Sequence, residues 1–380
     1  MHWVAIRMLI GDRVKFFGLV FGVTFATFLM SQQVSVFVGI VGRAASQIID
    51  VRDASIWVMD PRVRHFDEAP SLPTGDLQRV RGVEGVQWAV PFFKGQVLAN
   101  VDSGLPRSVI LEGLDDNSLV GAPQQLIAGN LSDIRRPYAV IVDKAGYEYL
   151  WPKEPIRLGR EFEINDRRAV IVGVCKASPP FVTLPVMYTR FNETLAYVPT
   201  RRNLMNFVLA ETMPGLSSAE VSQRISRQTG LLAITQDHFF WNTIKYMLSS
   251  TGIPVNFGIT IALGFIVGVA VAGQTFYLFT IENLKHFGSL KAMGVNNRRL
   301  IGMILLQALS VGALGFGLGV GLTAMFFIQT NQITHLAGLH LHWQAVAGVG
   351  GAVLVIVSLA SLLSMRRVLF LEPAIVFRGS

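Results

Sequence analysis

Charge is missing from three long stretches of this 380-residue sequence: no Asp, Glu, Lys or Arg occurs from Phe16 to Gly42, from Tyr246 to Ile281, or from Leu300 to Met365. Charged residues make up 15% of the chain and hydrophobic residues 51%, against roughly 25% charged in ordinary soluble domains. A wholly soluble protein is thereby excluded. Cysteine is almost absent as well. The single thiol, Cys175, rules out an intrachain disulfide framework, and its apolar setting in Val170-Ile171-Val172-Gly173-Val174-Cys175 suits a buried small residue. The dipeptide Gly-Lys never occurs, so no Gly-x-x-x-x-Gly-Lys-Ser/Thr loop is present to cradle phosphates. Neither His-Glu-x-x-His nor Gly-x-Ser-x-Gly appears. No ionisable residue lies in the middle of an apolar run, which argues against an ion-coupled carrier or a proton pump.

What is present divides along the chain. Each uncharged stretch exceeds the roughly 20 apolar residues that cross a hydrocarbon core as a helix. The third is interrupted by the polar segment 330–342 and holds two spans. The expected organisation is an amphipathic lead-in at 1–15, a first transmembrane helix at 16–42 and a large α+β domain at 43–250. Further spans follow at 255–281, 300–329 and 343–365, joined by 282–299 and 330–342, with a tail at 366–380. A signal peptide competes for the first run, but its apolar part covers only about 7 to 15 residues. Within 43–250, β-branched and aromatic runs such as Val86 to Val101 and Ser108 to Leu114 read as strands. Thr74 reads as the cap of a short helix, and Asn165-Asp166-Arg167-Arg168 as a turn between Glu161–Ile164 and Ala169–Val174.

The formal net charge is +8, yet the basic residues sit largely beside the spans. There is no basic stripe interleaved with aromatics, so nucleic acid is not an expected partner; membrane lipid is. Lys285, Lys291, Arg298 and Arg299 fall in the second-to-third connection and Arg366, Arg367 and Arg378 in the tail, while 330–342 holds no Lys or Arg. The bias of Lys and Arg toward the cytoplasm then puts both termini and 282–299 inside and the large domain outside. Gly264 and Gly268 in one span, and Gly315 and Gly319 in the next, are spaced for close helix packing; the competing reading is that glycine is simply common in membrane helices. His335, His340 and His342 cluster without a Cys or carboxylate beside them, and a polar hairpin tip competes there with a metal site.

The distinctive polar segment is Lys285-His286-Phe287-Gly288-Ser289-Leu290-Lys291-Ala292-Met293-Gly294, caught between two spans. Its spacing predicts a helical extension, a turn at Gly294, and re-entry after Asn296-Asn297. Leu290, Met293 and Val295 would form a small apolar face for a partner, flanked by Lys291, Arg298 and Arg299. A basic loop that merely fixes topology is the alternative.

At these residues the sequence resembles the MacB/FtsX-type ABC-transporter permeases, over nearly its whole length. That family carries Arg-Glu-Ile-Gly-x-x-x-Ala-x-Gly where this chain has Lys285 to Gly294, and an acidic-Pro tail motif where it has Glu372-Pro373. Ala139 to Asp143, Phe162-Glu163-Ile164 with Val170 to Val174, and Tyr197-Val198-Pro199 resemble strands of the MacB-like core domain. His286 and Phe287 replace the acidic position, and the Ser289-Leu290-Lys291-Ala292-Met293-Gly294 run is closer to the DevC-like branch. The resemblance implies a bacterial inner-membrane homodimer working with two copies of a cytoplasmic ATPase, which would hold the ATP and Mg; this chain would bind no cofactor. It also implies a periplasmic membrane fusion protein and an outer-membrane channel as partners. ATPase motion would pass through Lys285 to Gly294, Glu372 and Pro373. An FtsX-like permease that activates a periplasmic cell-wall hydrolase shares every membrane feature.

Overall fold

The computed structural model describes residues 2–68, 70–101, 104–198, 205–330 and 339–369. In chain order they form α1 (His2–Gly11), α2 (Arg13–Asp50), β1 (Ile56–Met59), α3 (Thr74–Arg81), β2 (Val86–Asn100), β3 (Pro106–Leu114), β4 (Gln125–Gly129), β5 (Ala139–Asp143), α4 (Lys144–Leu150), β6 (Glu161–Ile164), β7 (Arg167–Lys176), β8 (Val186–Arg190), α5 (Phe191–Tyr197), β9 (Phe207–Thr212), α6 (Ser218–Thr229), β10 (Leu232–Thr235), α7 (Gln236–Ser250), α8 (Ile253–Glu282), α9 (Leu284–Ala292), α10 (Asn297–Thr330) and α11 (Trp343–Leu369). The described parts of 1–39 and 252–380 make one compact unit, and 40–251 the other. Glu372, Pro373 and His335 lie outside the described residues.

In the helical unit, α2, α8, α10 and α11 are each long and apolar enough to cross a membrane. Helix α2 does not stop where the uncharged run stops at Gly42. It continues to Asp50, because Ala44, Ala45, Gln47 and Ile48 keep one side buried. The core is built from Val23, Ala26 and Met30 of α2, Ala272 and Phe276 of α8, Val311 of α10 and Val353, Ile356 and Val357 of α11. Side-chain neighbours give the helix directions. A Cβ on Gly315 would meet Val23, and one on Gly319 would meet Thr27; the Thr323 and Ser31 hydroxyls share a hydrogen bond of 2.6 Å. Both partners advance together, so α10 runs parallel to α2. A Cβ on Gly264 would meet Met30 and one on Gly268 would meet Ala26, so α8 runs the opposite way. The pairs Gly312–Val357 and Gly350–Phe316 make α11 antiparallel to α10. The start of α2, the α8–α10 connection and the end of α11 therefore share one end of the bundle.

The other unit is a ten-stranded mixed sheet ordered β10-β1-β9-β2-β3-β8-β5-β7-β4, with β6 pairing both β2 and β7. Strand β2 is long enough to serve two lobes. Its first half, from Val86 to Phe92, pairs with β9, and Phe93 to Asn100 pairs with β3. In the first lobe, Ile56 and Val58 of β1 pack toward Val80 of α3 and Val221 and Ile225 of α6. Trp57 points the other way, 5.6 Å from Phe66, 5.3 Å from Phe207 and 5.5 Å from Phe239 between ring centroids. The second lobe buries Val140 and Val142 of β5 with Tyr147, Trp151, Phe162, Ile171 and Tyr197. Cys175 is buried in β7.

Three local expectations change. Thr74 is the first residue of α3 and not its cap; Pro73 stands at the cap and supplies no side-chain acceptor. Tyr197 ends helix α5 where an extended segment was expected, its side chain fully buried in the second-lobe core. The β6–β7 turn shrinks to Asn165-Asp166, since Ile164 already pairs with Arg167. Both turn residues have positive φ, 47° and 61°, as a two-residue type I′ hairpin requires. Asn165 also accepts from Leu98 N at 3.0 Å and donates to Tyr197 O at 2.9 Å. Asn165→Ala is accordingly expected to cost about 2 kcal/mol, two hydrogen bonds plus a residue tolerant of left-handed backbone, as read by denaturant unfolding of the purified chain.

Candidate functional site

The segment between α8 and α10 is built around two chain reversals. Helix α8 breaks at Asn283, whose Nδ2 donates back to Phe279 O at 2.8 Å. Helix α9 ends in a Schellman arrangement: Val295 N reaches Leu290 O at 3.1 Å and Gly294 N reaches Lys291 O at 3.0 Å, with Gly294 at φ 87°. Glycine takes that left-handed position without a Cβ penalty, and the apolar pair Leu290 and Val295 accompanies it. Arg299 N and Leu300 N then bond Asn296 O, which starts α10.

One face of α9 is fixed to the bundle. Phe287 is fully buried with Ala5, Leu300, Met303, Ile304 and Met365, and Leu290 and Val295 pack against the same cluster. This alters the apolar face expected from sequence: Leu290 and Val295 turn inward, and Met293 alone stays out, 72% exposed. Gly288 is buried beside Phe287. Lys285, His286, Ser289, Ala292 and Gly294 are exposed, and Lys291 is half-buried. Arg298 and Arg299 are exposed at the start of α10. The outward face thus offers Lys285, His286, Ser289, Ala292 and Met293, a cationic and weakly apolar strip carried on a firmly seated helix.

Helix α1 belongs to this site, a role its reading as a surface-lying lead-in does not contain. Ala5 and Leu9 are buried, and Gln307 of α10 donates to Ala5 O at 2.8 Å. Lys15 bridges Asp12 at 2.5 Å and, from the other side, Glu282 at the end of α8. The i, i+4 spacing of Ala5 and Leu9, with Val4 and Met8 beside them, was the available signal. A cavity of about 510 Å³ separates α1 from the α8–α9 junction, lined by Trp3, Arg7, Asp12, Glu282 and His286. His340 and His342 stand 4.2 Å apart between ring centroids, but no group of three metal-binding side chains forms among the described residues.

Comparison with known proteins bears on residues 16–228 and 258–373. The family described as MacB-like periplasmic core domain matches residues 16–228, more than half of the sequence. The FtsX-like permease C-terminal family matches residues 258–373, which include the α8–α10 connection. Uncharacterized ABC transporter permeases of Mycobacterium tuberculosis and Mycobacterium bovis are 31% identical over 114 residues, 30% of this chain. The match spans 31% of those relatives' own length. Among solved structures, the periplasmic region of MacB from Actinobacillus actinomycetemcomitans is 15% identical, with 54% of this chain and 96% of that one covered and a TM-score of 0.39. The extracellular domain of the noncanonic ABC-type transporter YknZ from Gram-positive bacteria is 18% identical, with 48% and 99% covered and a TM-score of 0.36. Carried by the two family matches, the chain belongs to the MacB/FtsX-type ABC-transporter permeases, multi-pass membrane proteins with an α+β domain inserted after the first span.

Proposed function

We propose that this permease is the membrane half of an ATP-driven exporter and conveys the motion of a separate ATPase to its α+β domain. The carrying observation is the division of α9 into a buried face, locked by Phe287 to α1, α10 and α11, and an exposed face of Lys285, His286, Ser289, Ala292 and Met293. A push on the exposed face moves the bundle rather than a loop, because the seating side chains are close-packed. In this reading the α9 end of the bundle and both termini face the cytoplasm of the bacterial inner membrane. Two permease copies meet two ATPase subunits, which hold ATP and Mg. The α+β domain then works against a periplasmic fusion protein and, through it, an outer-membrane channel, as the DevC-like character of the segment suggests. The sequence lacks intramembrane charge, which agrees with mechanical transmission in place of a polar solute path.

Ala292→Glu tests this on the exposed strip without touching the buried face. Co-purified with its ATPase, the variant is expected to lose at least 2 kcal/mol of docking free energy, roughly 30-fold in affinity, by placing an unpaired carboxylate in the interface. Stimulated ATP turnover should fall with it while the thermal midpoint of the permease holds. Unchanged turnover would remove α9 from the coupling route.

A further inference from the structure

The α+β unit holds a cavity of about 280 Å³ that the coupling reading leaves unexplained. It opens between the last turn of α2 and strands β3, β7 and β8, with Gln47, Asp50, Arg52, Glu112, Lys176 and Tyr188 on its walls. Glu112 is 3% exposed and Tyr188 2%. The Glu112 carboxyl accepts one hydrogen bond, from Gln47 Nε2 at 3.0 Å. It forms no ion pair among the described residues. Lys94 stands opposite it across the β2–β3 ladder but gives its ammonium to Asp67 at 2.5 Å. Asp50 is engaged too, accepting from Ser178 N at 2.9 Å and Ser178 Oγ at 2.8 Å. The Tyr188 hydroxyl makes no hydrogen bond to any described residue. A buried acid and a buried hydroxyl thus line the same space, with Arg52 and Lys176 exposed on its walls and the Lys94 ammonium turned to Asp67. Buried charges are generally paired, and buried polar groups generally hydrogen-bonded.

We propose that this cavity binds the primary-ammonium group of a zwitterionic headgroup, seated on Glu112, Tyr188 and the amide of Gln47, with the headgroup's anionic part toward Arg52 and Lys176. An ammonium carries three donors and no acceptor, matching a carboxylate, a hydroxyl and an amide oxygen. Arg52 and Lys176 are exposed on the same walls and supply positive charge for a phosphate or carboxylate. The volume lies just under the roughly 300–1,000 Å³ of pockets for drug-sized ligands, which suits a headgroup rather than a whole amphiphile. A quaternary amine has no N–H to give and is disfavoured at the same site. The site is independent of how the permease is driven.

Calorimetric titration of the full chain in detergent decides this, with O-phosphoethanolamine and dihexanoyl phosphatidylethanolamine as probes and phosphocholine as control. Both amine probes are expected to bind, phosphocholine about tenfold more weakly or not at all, and Glu112→Gln to weaken the amine probes about tenfold, the worth of one charged hydrogen bond. Tyr188→Phe, which removes a single hydroxyl, should weaken them as well and decides the matter if Glu112→Gln fails to fold. Tighter binding of the short-chain lipid than of the free headgroup identifies a lipid source; equal binding identifies a soluble amine. Absence of binding by both amine probes, equal binding of phosphocholine, or parental affinity in both variants would overturn the proposal.

Discussion

Substituting Gly319 by leucine is expected to stop the four-helix unit from assembling. A Cβ at that position would stand 2.5 Å from Thr27 Cβ and 2.8 Å from Thr24 O, so α10 would have to move away from α2 along its length. Ordinary overpacking costs about 1–3 kcal/mol. Here the obstruction includes backbone, which no rotamer change relieves, and separation also breaks the 2.6 Å Thr323–Ser31 hydroxyl contact one turn further on. The unit should lose a large part of the ~5–15 kcal/mol that holds a typical protein folded. Gly317→Leu is the control. Nothing lies within 4 Å of a Cβ there or at Gly321, so that variant should purify with a parental thermal midpoint. Equal loss in both would mean that glycine content, and not the Gly315–Gly319 face, is what α10 requires.

That pairing of variants also marks how far the sequence could be read. The four apolar runs were legible because absence of charge over more than 20 residues leaves a membrane helix few alternatives. Gly315 and Gly319, expected from sequence as the packing pair, share their four-residue spacing with Gly317 and Gly321, and it is the facing Val23 and Thr27 that separate the two pairs. In α9 the turn at Gly294 was legible from local chemistry. The inward direction of Leu290 and Val295 was not, because it depends on Ala5 of α1 and Met303 of α10, far away in sequence. In the sheet, β-branched runs gave most strands, whereas Tyr197 reads as β-prone and closes a helix because its ring fills the second-lobe core. Glu112 carried no signal at all. It ends the apolar run Val109-Ile110-Leu111 in β3, beside Tyr188 of β8, and the contact that marks it as buried comes from Gln47 of α2, distant in sequence.

Glu112 leads to the second large effect. Burial raises its carboxyl from 4.5 to about 8, against the attraction of Lys94 and with the help of Asp50 and Asp67. The folded chain therefore keeps a proton that the unfolded chain releases near pH 4.5. Stability from this group is complete below that pH and is lost as pH climbs toward about 8. At 1.36 kcal/mol per tenfold in acidity the loss is bounded at about 5 kcal/mol, and water entering through the adjoining cavity brings the expected figure to roughly half. Glu112→Gln holds the neutral shape at every pH and should be as stable as the parent at pH 5 and more stable at pH 9 by denaturant unfolding. Asp143, pushed by burial up to about 6, has the same sign but a lower window. Lys94, which burial lowers, has the opposite sign. Asp143 is unaltered between parent and variant, whereas Lys94 attracts Glu112, so the difference reports Glu112 together with its coupling to Lys94. A parent that matched the variant across this range would mean that Lys94 and the cavity walls already compensate the carboxylate in full, and an added ammonium would then gain nothing there.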